Sequence, residues 1–239
     1  MQKKIEDRAQ MMERLISAGQ GGTRVSLKFK IMLWSSTVRF SYFIKRLMDI
    51  AVSGILIIIF LPFFILLAIA IRLESRGPVI FMQTRVGLDG RHFKFYKFRS
   101  MVVDSEKIKE KLAASNESKD GVIFKMKKDP RITKIGAFIR KFSIDELPQL
   151  FNVFKGDMSL VGPRPPIPKE VAEYNLEDRK RLHVKPGITC IWQISGRSDI
   201  PFKQQAELDK QYIKSKSVWQ DIRILVLTIP AVIGGKGAY

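Results

Sequence analysis

The longest apolar run, IAVSGILIIIFLPFFILLAIAI at 50–71, has 22 residues and no charge. At about 1.5 Å per residue a helix of that length would cross a hydrocarbon core of roughly 30 Å. Pro62 sits inside the run, where it removes a backbone donor and favours a bend. Basic residues flank both sides: Lys28, Lys30, Arg39, Lys45 and Arg46 before it, Arg72, Arg76, Arg85, Arg91, Lys94, Lys97 and Arg99 after it. Basic flanks favour the cytoplasmic side, and here both flanks qualify. A helix that enters, bends at Pro62 and leaves by the same face satisfies both facts. The pattern therefore predicts a re-entrant membrane helix over 43–76 rather than a span. No small-residue cleavage site follows, so the run is not a signal peptide.

The remaining pattern predicts shorter elements. Residues 3–16 read as a weakly amphipathic helix, GQGG at 19–22 as a break, and residues 1–42 together as an accessory segment. Val25, Leu27, Phe29 and Ile31 alternate with mostly polar residues, which suits a strand or an interfacial segment. PVIFMQTRVGLDGRHFKFYKFRSM, 78–101, reads as two strands around a Gly-Leu-Asp-Gly turn. The stretch 104–120 is polar and helix-prone, then loop-like. Ile132, Ile135, Phe138, Ile139 and Phe142 fall at helical spacing. Leu147, Leu150, Phe151 and Phe154 form a second helical stripe, closed by Gly156. VGPRPPIP at 161–168 is a proline-fixed loop, and DIRILVLTIPAVIGG at 221–235 suits an interfacial helix. The fold class expected is α/β, helix-rich with a small sheet, with the main domain over 77–239.

Between the two helical stripes lies SIDELPQ, with the adjacent carboxylates Asp145 and Glu146. Its local reading is helix capping: Asp145 at the N-cap, Glu146 in the first turn, Pro148 near the start. Arg140 before the pair and Arg164 after it supply the other reading, a phosphate site at a helix N-terminus. There one acid could hold magnesium between phosphates and its neighbour could attack phosphorus.

Composition narrows the partners. A formal net charge of +19 asks for anions: nucleic acid, an acidic membrane face or phosphorylated substrates. Cys190 is the only cysteine, so no intrachain disulfide can form, and it reads as a core residue. His92 and His183 make no metal cluster. GxxxxGK[ST], GxGxxG, HExxH and CxxC motifs are all missing, and no nucleic-acid module is recognisable. Nucleic acid is therefore not expected as a partner.

KRLMDI, RVGLDGRHFKFYKFRSM, DPRITKIGAFIRKFSIDELPQLFNVFKGDMSLVGPRPP, VKPGITCIWQISGR and ELDKQYI together resemble the bacterial polyprenyl-phosphate phosphoglycosyl transferases of the monotopic type, over roughly residues 43–239. The resemblance implies transfer of a phosphosugar from a UDP-sugar to undecaprenyl phosphate at the cytoplasmic face of the bacterial inner membrane. GITCIWQISGR and GKGAY resemble capsule and exopolysaccharide initiators for glucose or galactose. The family's acid dyad falls on Asp145, the nucleophile, and Glu146, the Mg2+ ligand. Its phosphate- and uridine-contacting positions fall on Lys97, Arg140, Arg164, Arg197 and Asp209. Small members often place Ser before the helix-breaking proline; here Leu61 precedes Pro62. Larger relatives carry an N-terminal transmembrane bundle that this chain is expected to lack, and a homo-oligomer is compatible with the sequence.

Overall fold

A computed structural model describes residues 24–105, 107, 108, 112, 126 and 129–235. The helix expected over 3–16, the GQGG break, most of the stretch 104–120 and the last four residues of GKGAY lie outside the described residues. Packing divides the chain into two units, Met1–Met48 and Asp49–Tyr239. In the first, every described residue belongs to helix α1, Arg24–Glu74, which continues into the second. The alternation from Val25 to Ile31 is therefore not a strand. Four alternating positions cannot outvote a segment in which no proline interrupts helix propagation before Pro62. Helical backbone also continues past Pro62 to Glu74, so any bend there leaves the helix unbroken.

The second unit begins with the apolar part of α1, whose most apolar 18 residues have a mean hydropathy of 3.1. One side carries Val52, Leu56, Ile57, Phe60, Phe64, Leu67 and Ile71 into the core. The other exposes Ile55, Ile58, Ile59, Ile65, Leu66, Ile69 and Leu73. An exposed apolar face of this extent is unusual unless something other than water covers it.

Both ends of this segment are tied down. Buried Asp49 accepts from the Leu160 N–H at 2.9 Å and from the Ser159 hydroxyl at 3.0 Å. At the far end, Arg99 Nη2 donates to the carbonyl of Ser75 at 2.6 Å and its hydroxyl at 2.9 Å, and Nη1 to the Arg76 carbonyl at 3.2 Å. An arginine thus satisfies carbonyls that the helix end leaves open. Glu74 in turn accepts the Ile135 N–H at 3.1 Å, closing the first turn of the next helix.

The layer after α1 is built on strands β1, Ile80–Val86, and β2, His92–Phe98, an antiparallel hairpin in register Ile80↔Phe98 to Val86↔His92. Its turn needs left-handed backbone at Asp89 (φ 53°) and Gly90 (φ 81°). Helix α2 spans Lys134–Lys141 and α3 Gln149–Lys155. Buried Asn152 joins α3 to β2: its amide donates to the Lys94 carbonyl at 2.6 Å and its oxygen accepts the Tyr96 N–H at 3.2 Å. Strands β3, Ser159–Val161, and β4, Gly187–Thr189, pair in parallel. They come so close to their connecting backbone that a Cβ on Gly187 would lie 2.0 Å from the Gly162 nitrogen.

Short helices α4 (Pro168–Ala172), α5 (Leu176–Arg179) and α6 (Ile191–Ser195) lead to α7 (Phe202–Ser215) and α8 (Val218–Gly234). Buried Tyr212 of α7 donates toward Asp221 Oδ1 at 2.8 Å and the Val161 carbonyl at 3.1 Å, joining α7, α8 and β3. Around it pack Phe64, Phe95, Phe98, Ile139, Leu150, Val153, Met158 and Ile224. α8 exposes Trp219, Val226, Ile229 and Ile233. The predicted helix-rich α/β class with little sheet matches this architecture.

Candidate active site

The acid pair does not cap a helix. Ile144–Glu146 forms a tight 3₁₀ turn preceded by Ser143 in left-handed backbone, φ 52°, and α3 begins only at Gln149. No side chain caps that turn, so the helix-capping reading of the pair does not hold. The turn instead aims both carboxylates at β2. Lys97 Nζ lies 2.6 Å from Glu146 Oε1 and 3.6 Å from Asp145 Oδ2.

A cavity of about 460 Å³ opens on this turn. Its walls carry Asp145, Glu146 and Asp129 against Arg85, Lys97, Arg99, Arg131, Arg140, Arg164 and Arg197. Two of the cations are committed elsewhere. Arg131 forks onto Asp129 (2.6 and 2.8 Å), and Arg99 holds the end of α1. The others stand round the pair: Arg140 acts on Asp145, and Arg164 and Arg197 act on Glu146.

The two acids differ in state. Burial raises Asp145 above the usual carboxylate range, and Glu146 beside it adds to the rise against the pull of Lys97 and Arg140. Burial also acts to raise Glu146, but the Lys97 ion pair, with Arg164 and Arg197, outweighs it and holds Glu146 below its ordinary value. Glu146 is the firmly ionised member; Asp145 is the more basic one.

Arg197 also has left-handed backbone, φ 54°, and its Nη2 donates to the Ser143 hydroxyl. Two of the three non-glycine residues with positive φ, among those described, therefore meet at this site. Such backbone costs of order 1 kcal/mol per residue and concentrates where geometry serves function.

Four of the five expected ligand-contacting residues, Lys97, Arg140, Arg164 and Arg197, reach the cavity. Asp209 does not. It is 1% exposed, sits behind the wall, and pairs with Arg181 Nη2 at 2.5 Å. Arg181 lies 5.5 Å from the Tyr174 and Phe202 ring centroids, which seal the pair from water.

A family model described as bacterial sugar transferase matches residues 40–235. The chain belongs to that family. It is 48% identical to the galactosyl transferase CpsE of Streptococcus agalactiae over 95% of this chain and 49% of the relative. It is 45% identical to the undecaprenyl-phosphate galactose phosphotransferase of Salmonella typhimurium over 84% of this chain and 43% of that protein. To the exopolysaccharide production protein ExoY of Rhizobium meliloti it is 36% identical over 82% of this chain and 88% of the relative. The chain thus spans about half the length of the first two.

For this family member the site's divalent-ion capacity can be read from its donors. No group of three or more metal-ligating side chains exists among the described residues. Glu146 could hold a Mg2+ ion, which would have to take its remaining ligands from phosphate oxygens and water. Sequence reasoning missed Ser143, Gln149 and Trp192, and counted Arg85 only as part of a basic flank, although all four line the cavity. For Ser143 the missing signal was its left-handed backbone, which the residue type does not announce.

Proposed function

We propose that the chain moves a hexose-1-phosphate from a UDP-sugar to undecaprenyl phosphate through an aspartyl-phosphosugar intermediate. The observation that carries this is Asp145, a buried carboxylate beside an ionised Glu146–Lys97 pair in an arginine-walled cavity. In the first half, an Asp145 oxygen attacks the β-phosphorus of the donor. The bond from that phosphorus to the bridging oxygen breaks, and UMP leaves with the electron pair. In the second half, a phosphate oxygen of the lipid attacks the same phosphorus and the Asp145–phosphorus bond breaks. The product is the lipid diphosphosugar and Asp145 is regenerated.

Arg140, Arg164, Arg197 and Lys97 bind and orient the phosphates and stabilise charge as it moves onto the transferring and leaving oxygens. Burial keeps Asp145 a better nucleophile than an ordinary exposed carboxylate. Magnesium held by Glu146 would neutralise the diphosphate. The hexose is proposed to be galactose or glucose, the sugars named in the similar transferases.

The reading places this chemistry at the cytoplasmic face of the inner membrane. Asp49 and Glu74, at the two ends of the apolar run, both bond within the unit that holds the dyad. That supports a re-entrant course for the helix, because a simple span would carry one end away to the opposite face. The exposed apolar faces of α1 and α8 would then meet lipid.

The raised Asp145 pKa also suits a general base in a direct, ternary-complex transfer. Mass spectrometry separates the two. Enzyme incubated with UDP-sugar alone should release UMP and carry a phosphosugar on Asp145. UMP release that requires the lipid acceptor would establish direct transfer instead.

A further inference from the structure

Arg85 stands at the cavity end of β1 with 8% exposure. Its one hydrogen bond among the described residues runs from Nη1 to the Pro165 carbonyl, 2.9 Å. Nε is sealed without an acceptor, and Nη2 has none among the described residues. The Phe95 ring centroid lies 5.1 Å from the guanidinium carbon, offering partial compensation and no anion.

Arg164 works against the charge. Burial and then Arg164 pull Arg85 down to about 9, with Glu170 and Glu146 only partly offsetting them. Glu170 is itself divided: one oxygen lies 3.8 Å from Arg164 Nη1 and the other accepts the Ile167 N–H at 3.1 Å. Glu170 and Glu146 thus serve both guanidiniums on the wall of the cavity, and each is already engaged by another partner. Buried charge in this state is costly unless an anion completes it. Planar guanidinium forks match phosphate oxygens.

We propose that Arg85 and Arg164 form a seat for a phosphate group beside the dyad, with Arg85 also holding the proline loop in place through Pro165. The seat rests on the transferase reading only for the source of its phosphate, either the donor's diphosphate or the acceptor's phosphomonoester.

The test uses the full chain in detergent or nanodiscs, with inorganic pyrophosphate as a probe that presumes no nucleotide. Calorimetry should show wild-type binding weakened at least tenfold in Arg85→Met and about threefold in Arg85→Lys, which keeps the charge but loses the fork. Because Arg85→Met risks misfolding, the lysine variant is decisive by itself. Unchanged pyrophosphate affinity in it, or no pyrophosphate binding by wild type, overturns the proposal.

UDP and farnesyl phosphate then identify the source, since the one whose binding falls in parallel occupies the seat. Uridine, which has no phosphate, should bind both variants as it binds wild type. A uridine loss equal to that for UDP would make Arg85 a structural staple and sink the seat. Failure of wild type to release UMP from any UDP-sugar would defeat the transferase reading while leaving the pyrophosphate result standing.

Discussion

Two carboxylate–cation pairs lie in one catalytic unit and behave as opposites. Glu146–Lys97 opens on a cavity, beside a second acid, with three further arginines and a left-handed Ser143 around it. Asp209–Arg181 is buried beside the Tyr174 and Phe202 rings and does not line the cavity. Residue chemistry is nearly the same in both. What differs is access: the first faces a cavity walled by further arginines, the second is buried away from it. A functional pair is thus recognised by what a ligand can reach around it.

The largest effect that tests this contrast is on turnover. Asp145→Asn should lower transfer by about a thousandfold or more, as removal of a covalent nucleophile does. It should also abolish the adduct while leaving UDP binding in place. Wild-type turnover in this variant would dissolve the distinction between the two pairs.

Next comes the closed pair. Arg181→Met strands a buried carboxylate, at a cost of about 3–5 kcal/mol, or about 10 °C in Tm. The fraction still folded should keep the wild-type kcat, because neither member reaches the cavity. A kcat that falls with stability intact would return Asp209 to the list of ligand contacts.

Much of the open site was legible in the chain. The basic-flanked apolar run, the hairpin, the proline loop and the dyad all appear as local patterns, and four of the five expected ligand contacts line one cavity. Asp209 came from the family resemblance alone; on α7 it is buried against Arg181, whereas Gln205, four residues earlier on that helix, reaches the cavity. The helix cap was misread for a related reason. Ser-x-x-Glu is a capping pattern only if the serine adopts extended backbone, and the bond from Arg197, 54 residues away, accompanies a left-handed Ser143 instead. Long-range partners decided both cases.

Within the open pair the two acids should respond in opposite directions, by less. Asp145 has its pKa raised, so its ionised form destabilises the fold at neutral pH; Asp145→Asn should raise Tm by about 2–4 °C. Glu146 has its pKa lowered, so its ionised form stabilises; Glu146→Gln should lower Tm by a similar amount. Differential scanning of both variants without substrate reads this directly. Shifts of the same sign would mean the acids share one environment after all.

The smallest effect probes why the closed pair is not simply stabilising. Burial raises Asp209 to about 6 even though Arg181 opposes the shift. Its folded pKa therefore exceeds the unfolded value of about 3.9, and between those limits the folded state binds more protons. Stability from this group is full below about pH 4 and declines as pH rises to about 6, beyond which it is flat. Asn mimics the protonated acid in shape and cannot ionise. The stability of Asp209→Asn relative to wild type should therefore improve from pH 4 to 6 and level off above, while the buried Arg181 left without its anion lowers the whole curve. Removing either charge thus strands the other, and the pH dependence is what separates their contributions. Denaturant titrations of both proteins at pH 4, 5, 6 and 7 measure the difference curve. A curve sloping the other way would show that Arg181 stabilises the ionised carboxylate more than burial penalises it, which would make the closed pair a net contributor to stability.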